Sequence, residues 1–175
     1  MSSEHPEVSI ESAVLADVDA LADLWVSLAR GQRTYDSHLL ADENRTTIRE
    51  SLAQHVVGDG VVVARATGEG DDEEDRVLVG FAMFGLEQGD YAQTVTRGIV
   101  HDLFVAPDRR GEGIGSALLV RAEEGLVEFG ADAFALEAMA TNADARRFYE
   151  RHGYRPHRVE LEKSAQSDTH SKEDG

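Results

Sequence analysis

Three glycines at alternate positions, in Arg109-Arg110-Gly111-Glu112-Gly113-Ile114-Gly115-Ser116, precede an apolar stripe of helical spacing. The first amides of a helix have no intrahelical acceptor, so they point out of its N-terminal end and, with the macrodipole, favour an anion there. Gly111, Gly113 and Gly115 let a diphosphate approach the backbone, and Arg110 can add a charge-assisted contact. A P-loop would carry Gly-Lys-Ser/Thr here, and a dinucleotide fingerprint would follow the first strand instead of arriving this late. Just upstream stand His101, whose imidazole titrates near neutrality, and Asp102. As neighbours on one strand they are expected to point to opposite faces, so that only one meets a substrate. His38 and His101 lack a spaced partner such as His-Glu-x-x-His, and no metal site is expected.

The elements that must position these groups follow from periodicity. Val8 to Val14 alternates as a half-buried strand does, and Asp17 precedes a helix in which Leu21, Leu24, Trp25 and Leu28 recur at three- and four-residue spacing before Gly31. A second helix is expected over Glu43 to Val57. Val61 to Thr67 and Val77 to Leu86 read as an antiparallel hairpin, with the acidic segment Gly68 to Asp75 as a solvated tip. A strand over Arg97 to Val105 ends at Pro107, and the glycine turn then opens a helix from Gly113 to Phe129 with Gly130 as its cap. A strand over Ala133 to Met139, a helix over Ala143 to His152 and a last strand over Tyr154 to Leu161 complete the order. Residues 1–7 read as a flexible N-terminus, 8–163 as one domain and 164–175 as a disordered acidic tail.

Composition limits the functions available. A chain of 175 residues, 41% of them hydrophobic, suits a single core, and it contains no cysteine, which excludes disulfides, thiolate metal ligands and cysteine nucleophiles. A formal charge of −17 argues against nucleic acid as a partner and favours cationic ones. No apolar run approaches the length of a membrane span and the N-terminus lacks a signal-peptide pattern, so a cytoplasmic protein is expected. Lys163 and Lys172 are the only lysines, arginine supplying all the other positive charge. A dense acidic surface of this kind suits a halophilic protein, hydrated and monodisperse in concentrated salt; a GC-rich genome would also favour arginine over lysine.

Val100-His101-Asp102-Leu103-Phe104-Val105-Ala106-Pro107-Asp108-Arg109-Arg110-Gly111-Glu112-Gly113-Ile114-Gly115-Ser116-Ala117-Leu118-Leu119 resembles motif A of the GCN5-related N-acetyltransferase (GNAT) superfamily, its Arg/Gln-x-x-Gly-x-Gly/Ala core falling on Arg110, Gly113 and Gly115. Asn142-Ala143-Asp144-Ala145-Arg146-Arg147-Phe148-Tyr149-Glu150-Arg151-His152-Gly153-Tyr154 resembles motif B. The two arrive in family order. The resemblance implies an α/β (α+β) GNAT fold: a twisted mixed sheet of six to seven strands, helices on both faces, and central parallel strands splayed to admit acetyl-CoA. It implies that the diphosphate sits on the amides of Arg110 to Ser116, those of Gly111, Gly113, Ile114 and Gly115 included. The pantetheine arm would pair with the backbone of Leu103, Phe104 and Val105, and Asn142 would contact it, although asparagine is also a favoured helix N-cap.

The activity implied is acetyl transfer to a primary amine of a small molecule or protein by direct attack, without a covalent enzyme intermediate. By the same resemblance Tyr149 reaches the thioester sulfur and donates to the departing thiolate, unless it serves only helix packing. The base is left between His101, Asp102 and ordered water. Acceptor recognition falls to segments without a motif, where Tyr35, Asp36, His38, Glu87, Asp90 and Tyr91 offer carboxylates and aromatics. A non-catalytic acyl-CoA sensor or partner-binding protein of the same fold is the alternative, a regulator binding ATP or NAD on the glycine turn is another, and a homodimer is left open.

Overall fold

The computed structural model describes residues 8–67 and 76–166; the expectations for the N-terminal stretch 1–7, the acidic hairpin tip 68–75 and the tail from residue 167 lie outside the described residues. β1, Val8–Ser12, leads through a short 3-10 turn into α1, Val18–Gln32. Asp17, at that junction, is buried. Its carboxylate accepts from the Val14 amide at 2.9 Å and pairs with Arg65, which satisfies the charge and ties the start of α1 to the sheet. α2, Arg45–Val57, lies against α1. β2, Val61–Ala66, and β3, Val77–Leu86, form the expected antiparallel hairpin. β4, Arg97–Val105, α3, Ile114–Glu128, β5, Ala133–Leu136, and α4, Ala143–Arg151, follow.

The sheet is open and mixed, in the order β1-β2-β3-β4-β5, antiparallel until the parallel β4–β5 pair. Period-two alternation gives it two apolar faces. Phe81, Met83 and Phe104 meet Leu21, Trp25 and Leu52 of α1 and α2 on one. Ala82, Phe84 and Val100 meet Leu118, Ala122 and Leu126 of α3 on the other, where Phe148 and Tyr149 of α4 also pack. Gly125 lets α3 approach closely, since a Cβ there would stand 2.6 Å from the Phe84 ring.

Among the described residues five strands form where six to seven were expected, and the difference lies toward the C-terminal end. The expected strand Ala133 to Met139 ends at Leu136, and Tyr154 to Leu161 makes no ladder. Alternation in that last segment has nothing to bury against: Val159 and Leu161 are 77% and 90% exposed. Pro156 removes a ladder donor as well. His38 Nε2 lies 2.7 Å from Glu162 Oε1, so the segment returns to the loop between α1 and α2. No helix among the described residues is long and apolar enough to cross a membrane.

Candidate functional site

β4 carries an irregularity that decides where its side chains go. Met83 is opposite Asp102 while Phe84 is opposite Val100, so His101 is an extra residue with no partner on β3. A bulge of this kind shifts the alternation by one. Val100 accordingly faces α3, whereas Phe104, four residues on, packs under α1 and α2. His101 and Asp102 therefore lie on the same face, the one covered by α1 and α2. The expectation that neighbours on a strand point apart is corrected here, because regular pleating fails at the extra residue.

The bulge also marks where the sheet opens. β4 and β5 pair only over Arg97–Val100 and Ala133–Leu136. Residues 101–105 continue without a partner on that side among the described residues, which leaves backbone groups along a widening gap, with Leu103, Phe104 and Val105 on its wall. At the end of this wall the chain turns through Gly111 and Gly113, both at positive φ (83° and 84°), and Gly113 is the N-cap of α3. No acidic residue occupies the first turn of that helix. Arg109 is held by Glu112 at 2.9 Å. Arg110 folds back, its Nε donating to the Val105 carbonyl at 3.0 Å and its guanidinium lying 5.7 Å from the centre of the Phe104 ring. A methyl group on the Cα of Gly115 would meet Val105 and Phe148 at ordinary contact distance. The Ser116 hydroxyl lies 2.9 Å from His152 Nε2, which leaves the Ser116 amide for an anion and commits its side chain elsewhere.

Across the gap, Asn142 caps α4, its Oδ1 accepting from the Ala145 amide at 3.1 Å; the side-chain NH2 has no recorded partner among the described residues. Tyr149, two turns further along α4, sits in an aromatic group with Phe148 (5.3 Å between ring centres) and Tyr154 (6.0 Å). Burial, and then the charge of Asp102, push its phenol up to about 12, which keeps the proton on oxygen at neutral pH. The Tyr154 phenol is also shifted upward, by burial and by its 2.8 Å hydrogen bond to Glu123.

On the α1/α2 face, burial raises the Asp102 carboxyl to about 6, opposed by a hydrogen bond from Trp25 and by the charge of His55. His101 is shifted the other way: desolvation and then the charge of His55 lower it, with Glu137 pulling it back. His55, on α2, brings its ring to 5.6 Å from that of His101 at an interplanar angle of 78°. The two imidazoles border an open cleft of about 690 Å³, lined also by Gly85, Leu86, Glu87, Ile99 and Phe129. No periodicity singles out His55 in the sequence; the packing of α2 and the bulge in β4 bring it to His101.

The acceptor residues named from sequence do not converge. Glu87 borders the cleft, but its carboxylate is held by Arg97 at 2.5 Å and by Gln93. His38 is engaged with Glu162, Tyr91 is 89% exposed, and Asp36 ends a short turn at φ 70°.

The profile of the Acetyltransferase (GNAT) family matches residues 25–154, which include the bulge, the glycine turn and α4. An uncharacterised N-acetyltransferase of Archaeoglobus fulgidus is 36% identical over 142 residues, 81% of this chain and 89% of that protein. Among solved structures, a mutant of the BH1408 protein from Bacillus halodurans superposes with a TM-score of 0.71 at 21% identity, over 89% of this chain and 98% of that one. The protein AAC(6')-Iy, solved with the bisubstrate analogue CoA-S-monomethyl-acetylneamine, gives a TM-score of 0.62 at 16% identity over 90% of this chain and 98% of that one. With the splayed sheet, the glycine-opened helix and a family profile that spans them both, this chain belongs to the GNAT acetyltransferase family.

Proposed function

We propose that this protein is an acetyl-CoA-dependent N-acetyltransferase that acts on a primary amine by direct attack. The observation that carries this reading is the gap beside residues 101–105, closed at one end by the α3 N-terminus and bordered by an imidazole and a protonated phenol. The residues present fit the cosubstrate. The glycine turn offers backbone amides and no side chain at Gly111 or Gly113, where nothing lies within 4 Å of a Cβ position. The amides of Arg110, Gly111, Gly113, Ile114, Gly115 and Ser116 would hold the diphosphate, with Arg110 swinging off Val105 to add its charge. The backbone of Leu103, Phe104 and Val105 would hold the pantetheine arm as an added strand, and the free NH2 of Asn142 would reach it from α4. When bound, acetyl-CoA supplies the acetyl group on a thioester.

The amine nitrogen forms a bond to the acetyl carbon, the carbon–sulfur bond breaks, and its electron pair leaves on sulfur. From an ammonium two protons are lost in all: one ends on sulfur and the other in solvent. His101 takes a proton from the nitrogen, since its lowered affinity keeps it free at neutral pH. Tyr149 donates toward the sulfur. Asp102 is the poorer base, because it lies under α1 against Trp25 and not on the cleft. Most of the rate comes from positioning, and no nucleophilic side chain is required.

A thermal-shift panel tests the donor: acetyl-CoA should raise the melting temperature in proportion to the logarithm of its concentration, whereas ATP and NAD should not. Thiol release with a panel of amines tests the reaction. Stabilisation by acetyl-CoA with no thiol release from any amine would favour a sensor, and stabilisation by ATP or NAD alone would remove the assignment.

A further inference from the structure

His55 is placed to do more than pack. Its Nδ1 lies 2.8 Å from the carbonyl oxygen of Ser51, one turn back on α2. A carbonyl oxygen only accepts, so Nδ1 carries the hydrogen of that bond, and in the neutral ring Nε2 is then a bare acceptor. That nitrogen points into the cleft. A methyl group on the Cα of Gly85 would lie 3.8 Å from His101 Nε2 and 3.9 Å from His55 Nε2, so both nitrogens converge on one small space over β3. His101 has no recorded hydrogen bond among the described residues and meets His55 edge to face.

A neutral primary amine carries two N–H bonds and one lone pair. We propose that this space receives the acceptor nitrogen, with His55 Nε2 accepting one N–H and His101 Nε2 accepting the other, so that the lone pair is left free to attack. The inference rests on the assignment of His101 as base and adds a second group that touches the substrate. His55 orients; His101 takes the proton as the carbon–nitrogen bond forms. The arrangement selects primary amines, because a secondary amine has one N–H for the two nitrogens and must seat its second substituent where the other N–H would point. With Leu86, Ile99 and Phe129 on the walls and the Glu87 carboxylate already held by Arg97, the cleft suits an amine with an apolar body better than a polycation.

The charged and titratable groups around the pair define the expected pH behaviour. His55 comes from α2, Asp102 from β4, Glu137 from the segment after β5, and the Glu87–Arg97 pair from the ends of β3 and β4. His101 must be unprotonated to act, and so must His55, since a hydrogen on its Nε2 would end its role as an acceptor. Activity should therefore fall as pH drops through the range in which either imidazole gains a proton.

The experiment uses 2-phenylethylamine and its N-methyl derivative as probes. Imidazole nitrogen signals of His55 and His101 should shift together on addition of 2-phenylethylamine to the full-length protein. In thiol-release assays His55→Phe should lower kcat about a hundredfold and erase the preference for the primary amine, with the acetyl-CoA thermal shift unchanged. Gly85→Ala is the second variant. Its methyl meets both nitrogens at ordinary contact distance, so the fold is kept while the space is filled, and the acceptor KM should rise with acetyl-CoA binding intact. Imidazole signals that do not move together, or a His55→Phe protein with wild-type rate and amine preference, would overturn the inference. His101→Phe separates the two levels: if it is slow while His55→Phe is unimpaired, only the role of His55 fails, and if it keeps full rate the base assignment fails and this inference with it.

Discussion

At the scale of single residues, the half-buried acid and the half-buried phenol make opposite uses of desolvation. The folded Asp102 carboxyl holds its proton to about pH 6 against 3.8 for an unperturbed one, so the folded state binds more protons in that window. Stability must therefore fall as pH rises through it, and at neutral pH the ionised form costs about 3 kcal/mol. Asp102→Asn keeps an acceptor for Trp25 without the charge; it should raise the melting temperature at pH 7 and flatten the loss between pH 4 and 6, measured as a difference from wild type. A variant that melts lower at pH 7 would show that the charge is compensated. For Tyr149 the raised affinity keeps a donor available. Tyr149→Phe retains the ring packing against Phe148 and Tyr154, so its effect isolates the hydroxyl. A general acid contributes about 10²–10⁴-fold, and single-turnover rates at saturating acetyl-CoA should fall by that much while acetyl-CoA affinity stays close to wild type. An unchanged rate would make this tyrosine structural.

At the scale of elements, the glycine turn and the bulge divide the work of building the site. Gly113 is the N-cap of α3 at φ +84°, a conformation that costs an L-residue about 1–2 kcal/mol. Gly113→Ala has open space for its Cβ, so its cost is backbone strain, relieved only by moving the first amides of α3. The melting temperature should fall by a few degrees, and acetyl-CoA affinity should fall beyond what the stability change explains, because the same amides form the anion site. Equal affinity in wild type and variant would place the diphosphate elsewhere. The bulge acts on the other side of β4. Without the extra residue His101 and Asp102 would project to opposite faces, and only one would lie under α1 and α2.

At the scale of the whole molecule, charge dominates. The surface carries Arg30–Asp42, Arg45–Asp23, Arg49–Asp19 and Arg147–Asp144 pairs, all exposed. Each is worth about 0–1 kcal/mol and is weakened by salt. Against them stand 34 acidic residues facing only 17 Lys and Arg. Screening the surplus repulsion gains more than screening these pairs loses. The melting temperature should therefore drop on transfer from molar KCl to dilute buffer; a value that stays flat or rises would reject the halophilic reading.

The order of elements, the glycine-opened helix and the cap at Asn142 were legible in the chain alone, because each depends on residues within a few positions of one another. A helix end needs only its local caps and periodicity. The expected last strand was not secured by the same means, since alternation over Tyr154 to Leu161 specifies a face but not a neighbour to bury it. The meeting of His101 with His55, and the common face of His101 and Asp102, belong to the tertiary structure alone. A bulge exists only relative to the strand opposite, so its position is a property of how β3 and β4 pair. The approach of His55 depends in turn on where α2 rests on the sheet, 46 positions away in the chain from the residue it meets.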